Sequence, residues 1–293
     1  MEQLIVNLLQ NAINFLNNVF GDMRTHLGTA PSAFAGGAAW SAVTAVNTAI
    51  QGTGYGLLIC FFFMSFFKST VNFKDLSMQQ VIGLLVRFVL VKAIIDYGMQ
   101  LLTFAISISM GVNDAIFTSA GGFQIAELPQ EVLDTVANIK DAAWYEQIGA
   151  FFQTIPMLGL GAIGTLVIWI AGVVLIVSVY LRFFRVYILT AIAPLPLSTF
   201  GSPETSQTGK HFLKAYAAVC LEICVIALAI VVFNAMMSSN SLIFPSWGDN
   251  NTSVNAEFWD ALINYIFQIV LQTVMLAIMV MSANKFIRDA LGA

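Results

Sequence analysis

The sequence predicts an all-α integral membrane protein with about five transmembrane helices. Of its 293 residues, 58% are hydrophobic and only 10% are charged, whereas a soluble globular protein is about a quarter charged. Apolar runs that approach or exceed the length of a spanning helix, about 20 residues, recur along the chain. All three cysteines lie inside such runs, which excludes a disulfide framework outside the membrane.

The first segment, 1–45, combines an amphipathic helix with a Gly/Ala-rich linker. Apolar residues recur at helical spacing from Ile5 to Phe20, opposite a face of Asn and Gln, and the segment is too polar to span. The sequence leaves two positions open for this helix. It either lies in the membrane interface or packs on the protein's own outer surface. Breaker residues then predict a loop over 21–45.

The five predicted spans cover 46–67, 81–110, 156–181, 213–237 and 261–282. The first two make up segment 46–110, a loop at 111–152 follows, and the last three belong to segment 153–293. Lys and Arg gather between spans one and two, between spans three and four, and after span five. Because positive residues favour the cytoplasmic side, this pattern predicts an N-out/C-in orientation.

The loop 111–152 is predicted to be extracytoplasmic and acidic. It carries a single lysine against six acidic residues, among them Glu131 and Asp134. Its later part, 128–152, has the pattern of an acidic amphipathic helix, and Trp144 and Tyr145 are interpreted as anchors at the membrane interface. Since negative charge repels a phosphate backbone, we expect no tight nucleic-acid binding.

The segment 182–214, which we call the elbow, connects spans three and four. Its apolar middle is too short to span, and basic residues at both ends place both ends in the cytoplasm. Two prolines end a helix that would otherwise continue through the bilayer. The sequence therefore predicts a re-entrant or interfacial segment before the fourth span. Its marker residues are Arg182, Arg185, Pro194, Pro196, Lys210 and Lys214.

Glycines inside the third span match the dinucleotide-binding fingerprint GxGxxG, from Gly159 to Gly164. The run lacks the preceding strand and the later acidic residue that this motif requires. Small residues instead predict a close approach of another helix, along a face marked by Gly161, Thr165 and Gly172. Neither a catalytic constellation nor a metal-ligand pattern is visible, so we expect no enzymatic activity, cofactor or metal.

Ionisable residues inside predicted spans are costly and must face protein or water. Lys92 and Asp96 have i,i+4 spacing and are expected to pair, and Arg87 is expected to extend towards the interface. Glu222 has no local partner, so it either bridges to Lys92 or lines a wet path. Lys92, Asp96 and Glu222 also support an alternative function, a small-solute transporter or ion channel.

The pattern resembles the TrbL-like (VirB-type) polytopic inner-membrane subunits of type IV secretion and conjugation systems. The resemblance is carried by Arg182 and Arg185, by Ile192-Ala-Pro194-Leu-Pro196-Leu, and by Phe200 with the polar turn to Lys210. It implies a structural, channel-forming subunit that helps DNA and protein cross the cytoplasmic membrane of a bacterium. The implied partners are other secretion subunits including separate ATPases, further copies in a homo-oligomeric ring, the lipid bilayer, and translocated DNA or protein in transient contact.

Overall fold

The computed structural model describes residues 2–71, 78–119, 144–238 and 254–292, and all regular structure within them is helical. The α-helices are α1 (Glu2–Leu27), α2 (Ala38–Val71), α3 (Met78–Asp96), α4 (Gly98–Ser119), α5 (Trp144–Ile192), α6 (Pro194–Ser198), α7 (Ser206–Ser238) and α8 (Val254–Leu291). Short 3₁₀ turns occur at Phe34–Gly37 and Thr199–Gly201. Within the described residues, five stretches are long and apolar enough to cross a membrane: Phe34–Lys68, Gly98–Ser119, Leu158–Ile192, Ser206–Met236 and Tyr265–Leu291. The prediction of a helical, multi-pass membrane protein is confirmed.

The loop expected over 21–45 is much shorter in the structure. Helix α1 continues to Leu27 and α2 begins at Ala38, so the non-helical connection covers about ten residues. Alanine is the strongest helix former, and its abundance after residue 37 outweighs the breaker signals there. Within this connection Ala35, Gly36 and Gly37 take positive φ angles of 52°, 69° and 77°, a backbone region that glycine enters without steric cost.

The second span differs from its prediction. Instead of one helix over 81–110, α3 ends at Asp96 and α4 begins at Gly98. Backbone bonds from Tyr97 N to Ala93 O (2.9 Å) and from Leu101 N to Tyr97 O (3.0 Å) keep the helical pattern through the break. The junction is therefore a local interruption of one rod, located at a glycine.

The outer loop lies mostly outside the described residues, and Glu131 and Asp134 are among the residues not described. Trp144 and Tyr145 form the first turn of α5, which includes the end of the amphipathic pattern predicted over 128–152.

Contacts divide the chain into two compact units. Unit 1 comprises Met1–Thr25, Phe117–Ser178 and Ile226–Met281, and unit 2 comprises His26–Ile116, Val179–Val225 and Ser282–Ala293.

In unit 1, the apolar face of α1 packs on the protein's own helices, one of the two positions that the sequence left open. Phe15 contacts Trp169 of α5, and Phe20 stacks on Phe233 of α7, each with ring centroids 5.4 Å apart. Fully buried residues along this face include Leu9, Ala12, Ile13, Leu16 and Val19. Burial of this apolar stripe stabilises α1, because helix propensity alone contributes little in water.

In unit 2, contacts fix the relative directions of the helices. The end of α5 runs antiparallel to α7, since Thr190 meets Tyr216 and Arg185 meets Glu222. The end of α8 is antiparallel to α7, because Asn284 bonds to Glu222 and Gly292 bonds to Lys214. Helix α4 is parallel to α7, because Tyr216 bonds to Leu102 and Cys224 bonds to Ser109. An apolar core joins α2 to α7, with members that include Leu58, Ile95, Leu102, Val186, Leu197 and Val219.

Candidate functional site

The elbow begins later than its basic residues indicated. Helix α5 continues through Arg182 and Arg185 and ends at Ile192. Pro194 opens the short helix α6, where its fixed φ suits the first turn and its missing N–H would have had no partner. Ser198 and Thr199 donate to carbonyl oxygens three residues back, at 2.6 and 2.7 Å. The turn is thus built from prolines and from hydroxyl groups that satisfy its own backbone.

Small residues let the elbow approach neighbouring helices of unit 2. A Cβ atom at Gly54 of α2 would lie 3.0 Å from the carbonyl oxygen of Pro194 and 3.1 Å from its Cβ. Gly98, at the α3–α4 junction, would place its Cβ 3.1 Å from Leu197. Such close contacts are the usual way in which membrane helices pack.

Polar side chains tie the elbow down further. Arg87 Nε of α3 donates to the carbonyl oxygen of Phe200 at 2.9 Å. This arginine, which was expected to extend towards the interface, thus has a protein partner. Asn47 Nδ2 of α2 donates to Thr190 O at 2.7 Å. Lys68 and Glu204 form an ion pair at the far side of the turn, with side chains 64% and 50% exposed, so this pair contributes little to stability.

An ion cluster lies at the start of the elbow, where the side chain of Arg185 is 40% exposed and its partner carboxylate is buried. Arg185 Nη1 of α5 donates to both carboxylate oxygens of Glu222 on α7, at 2.6 and 2.8 Å. Asn284 Nδ2 of α8 donates to the same carboxylate at 2.9 Å. Glu222 is only 3% exposed, so three helices of unit 2 meet at one desolvated carboxylate. Neither Arg185 nor Asn284 was predicted as its partner.

Arg182, one turn before Arg185, has no such match. It is 2% exposed, and within the described part of the chain Nε and Nη1 have no hydrogen-bond partner. Its guanidinium carbon lies 5.0 Å from the ring centroid of Phe183, a favourable but modest contact for a cation. Two arginines therefore lie near one carboxylate, which forms its ion pair with Arg185 alone within the described residues, so the cluster carries an excess of positive charge.

The bridge considered between Glu222 and Lys92 is not formed. Lys92 Nζ instead lies 3.5 Å from the carboxylate of Asp96, at the i,i+4 spacing seen in the sequence. The hydroxyl of Tyr55 also donates to Asp96. Lys92 and Asp96 pair with each other, and Glu222 pairs with Arg185, so the three residues do not form one site.

We expect a double-mutant cycle on Lys92 and Asp96 to show only weak coupling. Their side chains are 58% and 33% exposed, so the coupling free energy should be about 0.2 to 1 kcal/mol. Thermal unfolding in mild detergent of Lys92→Ala, Asp96→Ala and the double variant measures it. Tyr55→Phe is the control, because it removes the hydroxyl bond and keeps the ion pair. Strictly additive losses would show that the pair does not interact.

The remaining basic residues of the elbow are exposed. Lys210 lies in the first turns of α7, and Lys214 Nζ donates to Gly292 O of the chain's end at 3.2 Å. Their positive charge is therefore presented outwards next to the turn.

The small-residue face of the third span is buried in unit 1. Gly161, Thr165 and Gly172 all face the interior, and a Cβ at Gly172 would lie 2.5 Å from the ring of Phe15. Gly164, which the predicted set did not include, meets Ile266 of α8 in the same way, at 2.9 Å. Thr165 Oγ1 has no hydrogen-bond partner among the described residues. It lines an apolar groove of about 610 Å³ beside Leu8 and Trp169.

Among the residues that the structure describes, no group of three or more His, Cys, Asp or Glu side chains could hold a metal ion. Cys220 and Cys224 are buried free thiols, and Cys60 is exposed.

Three comparisons with known proteins were made. No family model, no curated protein and no solved structure matches this chain. The chain's own residues and their contacts are therefore the basis for the function proposed below.

Proposed function

We propose that this chain is a structural, channel-forming membrane subunit of a conjugative type IV secretion apparatus in a bacterial cytoplasmic membrane. In this role it forms a homo-oligomeric ring with other secretion subunits and helps DNA and protein substrates cross. It performs no chemistry itself, and separate ATPases supply the energy.

The elbow carries this proposal, because it is the segment with the closest resemblance to the TrbL-like subunits. Pro194 packs on Gly54, Arg87 binds Phe200 O, and Asn47 binds Thr190 O. A turn held by three such contacts is suited to a fixed docking surface. The exposed Lys210 beside it gives this surface a positive charge for cytoplasmic partners.

The charged residues within the spans support a scaffold role more than transport. Glu222 is held by Arg185 and Asn284, and Asp96 by Lys92 and Tyr55. A transported solute or ion would need to displace these partners, each of which already satisfies a costly charge.

Affinity purification from donor cells in mild detergent tests the proposal. We expect the full chain to bring down further copies of itself and other secretion subunits, and its deletion to abolish DNA transfer. Lys210→Glu should weaken recovery of the cytoplasmic ATPases, whereas the same charge change at Lys285, an exposed lysine outside the elbow, should not. A monomer that recovers no partner, together with normal transfer from the deletion strain, would contradict the proposal.

Thiol labelling tests the N-out/C-in orientation. In a Cys60→Ser background, which removes the exposed native thiol, Gln207→Cys should react with an impermeant reagent only from the cytoplasmic side. Gln207 is exposed within the elbow, three residues before Lys210. Asp249→Cys, in the loop without Lys or Arg, should react only from the opposite side. The reverse pattern would show that the positive residues do not set the orientation.

A further inference from the structure

Helix α1 exposes a continuous stripe of uncharged amides on the side opposite its buried face. Asn7, Asn11, Asn14 and Asn18 are all exposed, at spacings of four, three and four residues that place them along one helix face. We call these four residues the amide stripe. Gln10 Nε2 donates to Asn14 Oδ1 at 3.3 Å. Within the described residues, Asn7, Asn11 and Asn18 have no protein partner.

The stripe lies at the depth of membrane-spanning segments. Phe15, between its members, contacts Trp169 and sits against Gly172, and both belong to the candidate span Leu158–Ile192. Phe20 stacks on Phe233 of the candidate span Ser206–Met236. Helix α1 thus runs beside the apolar parts of two spans of unit 1.

The side chains around α1 favour an apolar environment for this part of unit 1. The outward side chains of α5 beside α1 are large and apolar, with Ile163 65% exposed, Leu166 58% exposed and Ile170 56% exposed. Such a surface on a candidate span fits lipid or another apolar helix face. The amide stripe cannot share this environment, because amides without hydrogen-bond partners are strongly disfavoured in hydrocarbon.

Charge also limits what covers the stripe. Helices that lie on a membrane surface usually carry Lys and Arg on their polar face to attract anionic lipid, and the amide stripe carries none. An uncharged, hydrogen-bonding wall neither traps nor repels a polyanion, whereas a basic wall would bind phosphate tightly.

We propose that the amide stripe of α1 lines a water-filled path that forms where copies of the protein assemble. This inference rests on the proposed oligomeric channel and identifies its lining: a neutral, polar wall supplied by the N-terminal helix. Polar groups at membrane depth are tolerated where they line a water-filled cavity. The assembly of several copies would provide such a cavity. The lining would let an extended polar substrate pass without holding it.

Cysteine accessibility tests this inference. Single cysteines replace Asn7, Asn11, Asn14 and Asn18 in the full-length, Cys60→Ser protein within native membrane vesicles. The probe is a charged, membrane-impermeant methanethiosulfonate, which reacts with thiolates, and thiolates form in water. The stripe positions should react at least about tenfold faster than Ile163→Cys and Leu166→Cys, which lie at similar depth but face lipid. Ala12→Cys, which is fully buried, is the second control.

A cross-linked variant tests whether the stripe contacts water only because α1 has moved to the membrane surface. Phe15→Cys and Gly172→Cys, joined by a short bifunctional thiol cross-linker, hold α1 against α5. Hydroxyl-radical footprinting of the joined protein carrying Asn14→Met, a side chain that radicals formed from water oxidise readily, should still show oxidation at this position. Protection of this methionine in the joined form would overturn the inference.

Three results would contradict the lining role. The stripe thiols could react as slowly as Leu166→Cys, or react only when α1 is free of α5. They could also form disulfides between copies while excluding the charged reagent, which would assign the stripe to a helix–helix contact. Partner recovery and DNA transfer are measured separately from thiol accessibility. The proposed secretion role can therefore hold even if the lining role fails.

Discussion

Glu222→Ala is expected to destabilise the protein by about 1.5 to 3 kcal/mol, one of the two largest losses that we predict. Glu222 is 3% exposed and receives hydrogen bonds from Arg185 and Asn284. Removing it leaves Arg185 without its carboxylate and increases the charge excess around Arg182, whose Nε and Nη1 already lack hydrogen-bond partners in the described residues. The loss is measured as unfolding in mixed detergent micelles, followed by circular dichroism.

Two further variants separate charge from packing in this cluster. Glu222→Gln keeps most of the shape and one acceptor, so it should cost less than Glu222→Ala. Arg185→Met combined with Glu222→Leu removes both charges together and should recover a large part of the loss, because a matched apolar pair has no desolvation penalty. If the double variant is as unstable as the sum of its single changes, the two side chains do not act as a pair.

The helical membrane architecture could be predicted because hydropathy is a local property. A run of about 20 apolar residues marks a span whatever its neighbours are, and the described part of the chain contains five such helices. Boundaries were less accurate where local signals conflicted. Alanines extended α2 back to Ala38, and a glycine interrupted the second span after Asp96.

The partners of the charged residues could not be predicted, because they depend on the register between helices. Glu222 has opposite charges on two other helices, Lys92 and Arg185, and nothing in the sequence states which one lies at its level. The structure pairs it with Arg185 and leaves Lys92 with Asp96. The one pair that was anticipated has i,i+4 spacing within a single helix, where register is fixed by helix geometry.

For the small residues, too, the sequence predicted a packing face but not the helices that pack on it. Glycine and threonine in the third span indicated a packing face, since only small side chains admit a close helix. The helices that use this face, α1 at Gly172 and α8 at Gly164, could not be named from the pattern. In α2, Gly54 carries no distinguishing signal between Gly52 and Gly56, although only Gly54 meets the elbow.

Gly54→Leu is therefore expected to displace the elbow and to destabilise the protein by about 1 to 3 kcal/mol. A Cβ at this position already lies 3.0 Å from Pro194 O, and a leucine side chain extends further into the same space. The obstacle is backbone, which cannot rotate away as a side chain would. Thermal unfolding in mild detergent measures the loss, and a cross-link between Asn47→Cys and Thr190→Cys reports whether the end of α5 has moved.

Gly52→Leu and Gly56→Leu are matched controls on the same helix. Both glycines have open space within 4 Å, so leucine there meets no obstacle, and the gain in helix propensity of about 0.5 to 1 kcal/mol applies to all three variants. The difference between Gly54→Leu and its neighbours therefore isolates the contact with Pro194. Equal stability of the three would mean that the elbow does not rest on α2, and a docking surface fixed by that contact would have to be abandoned.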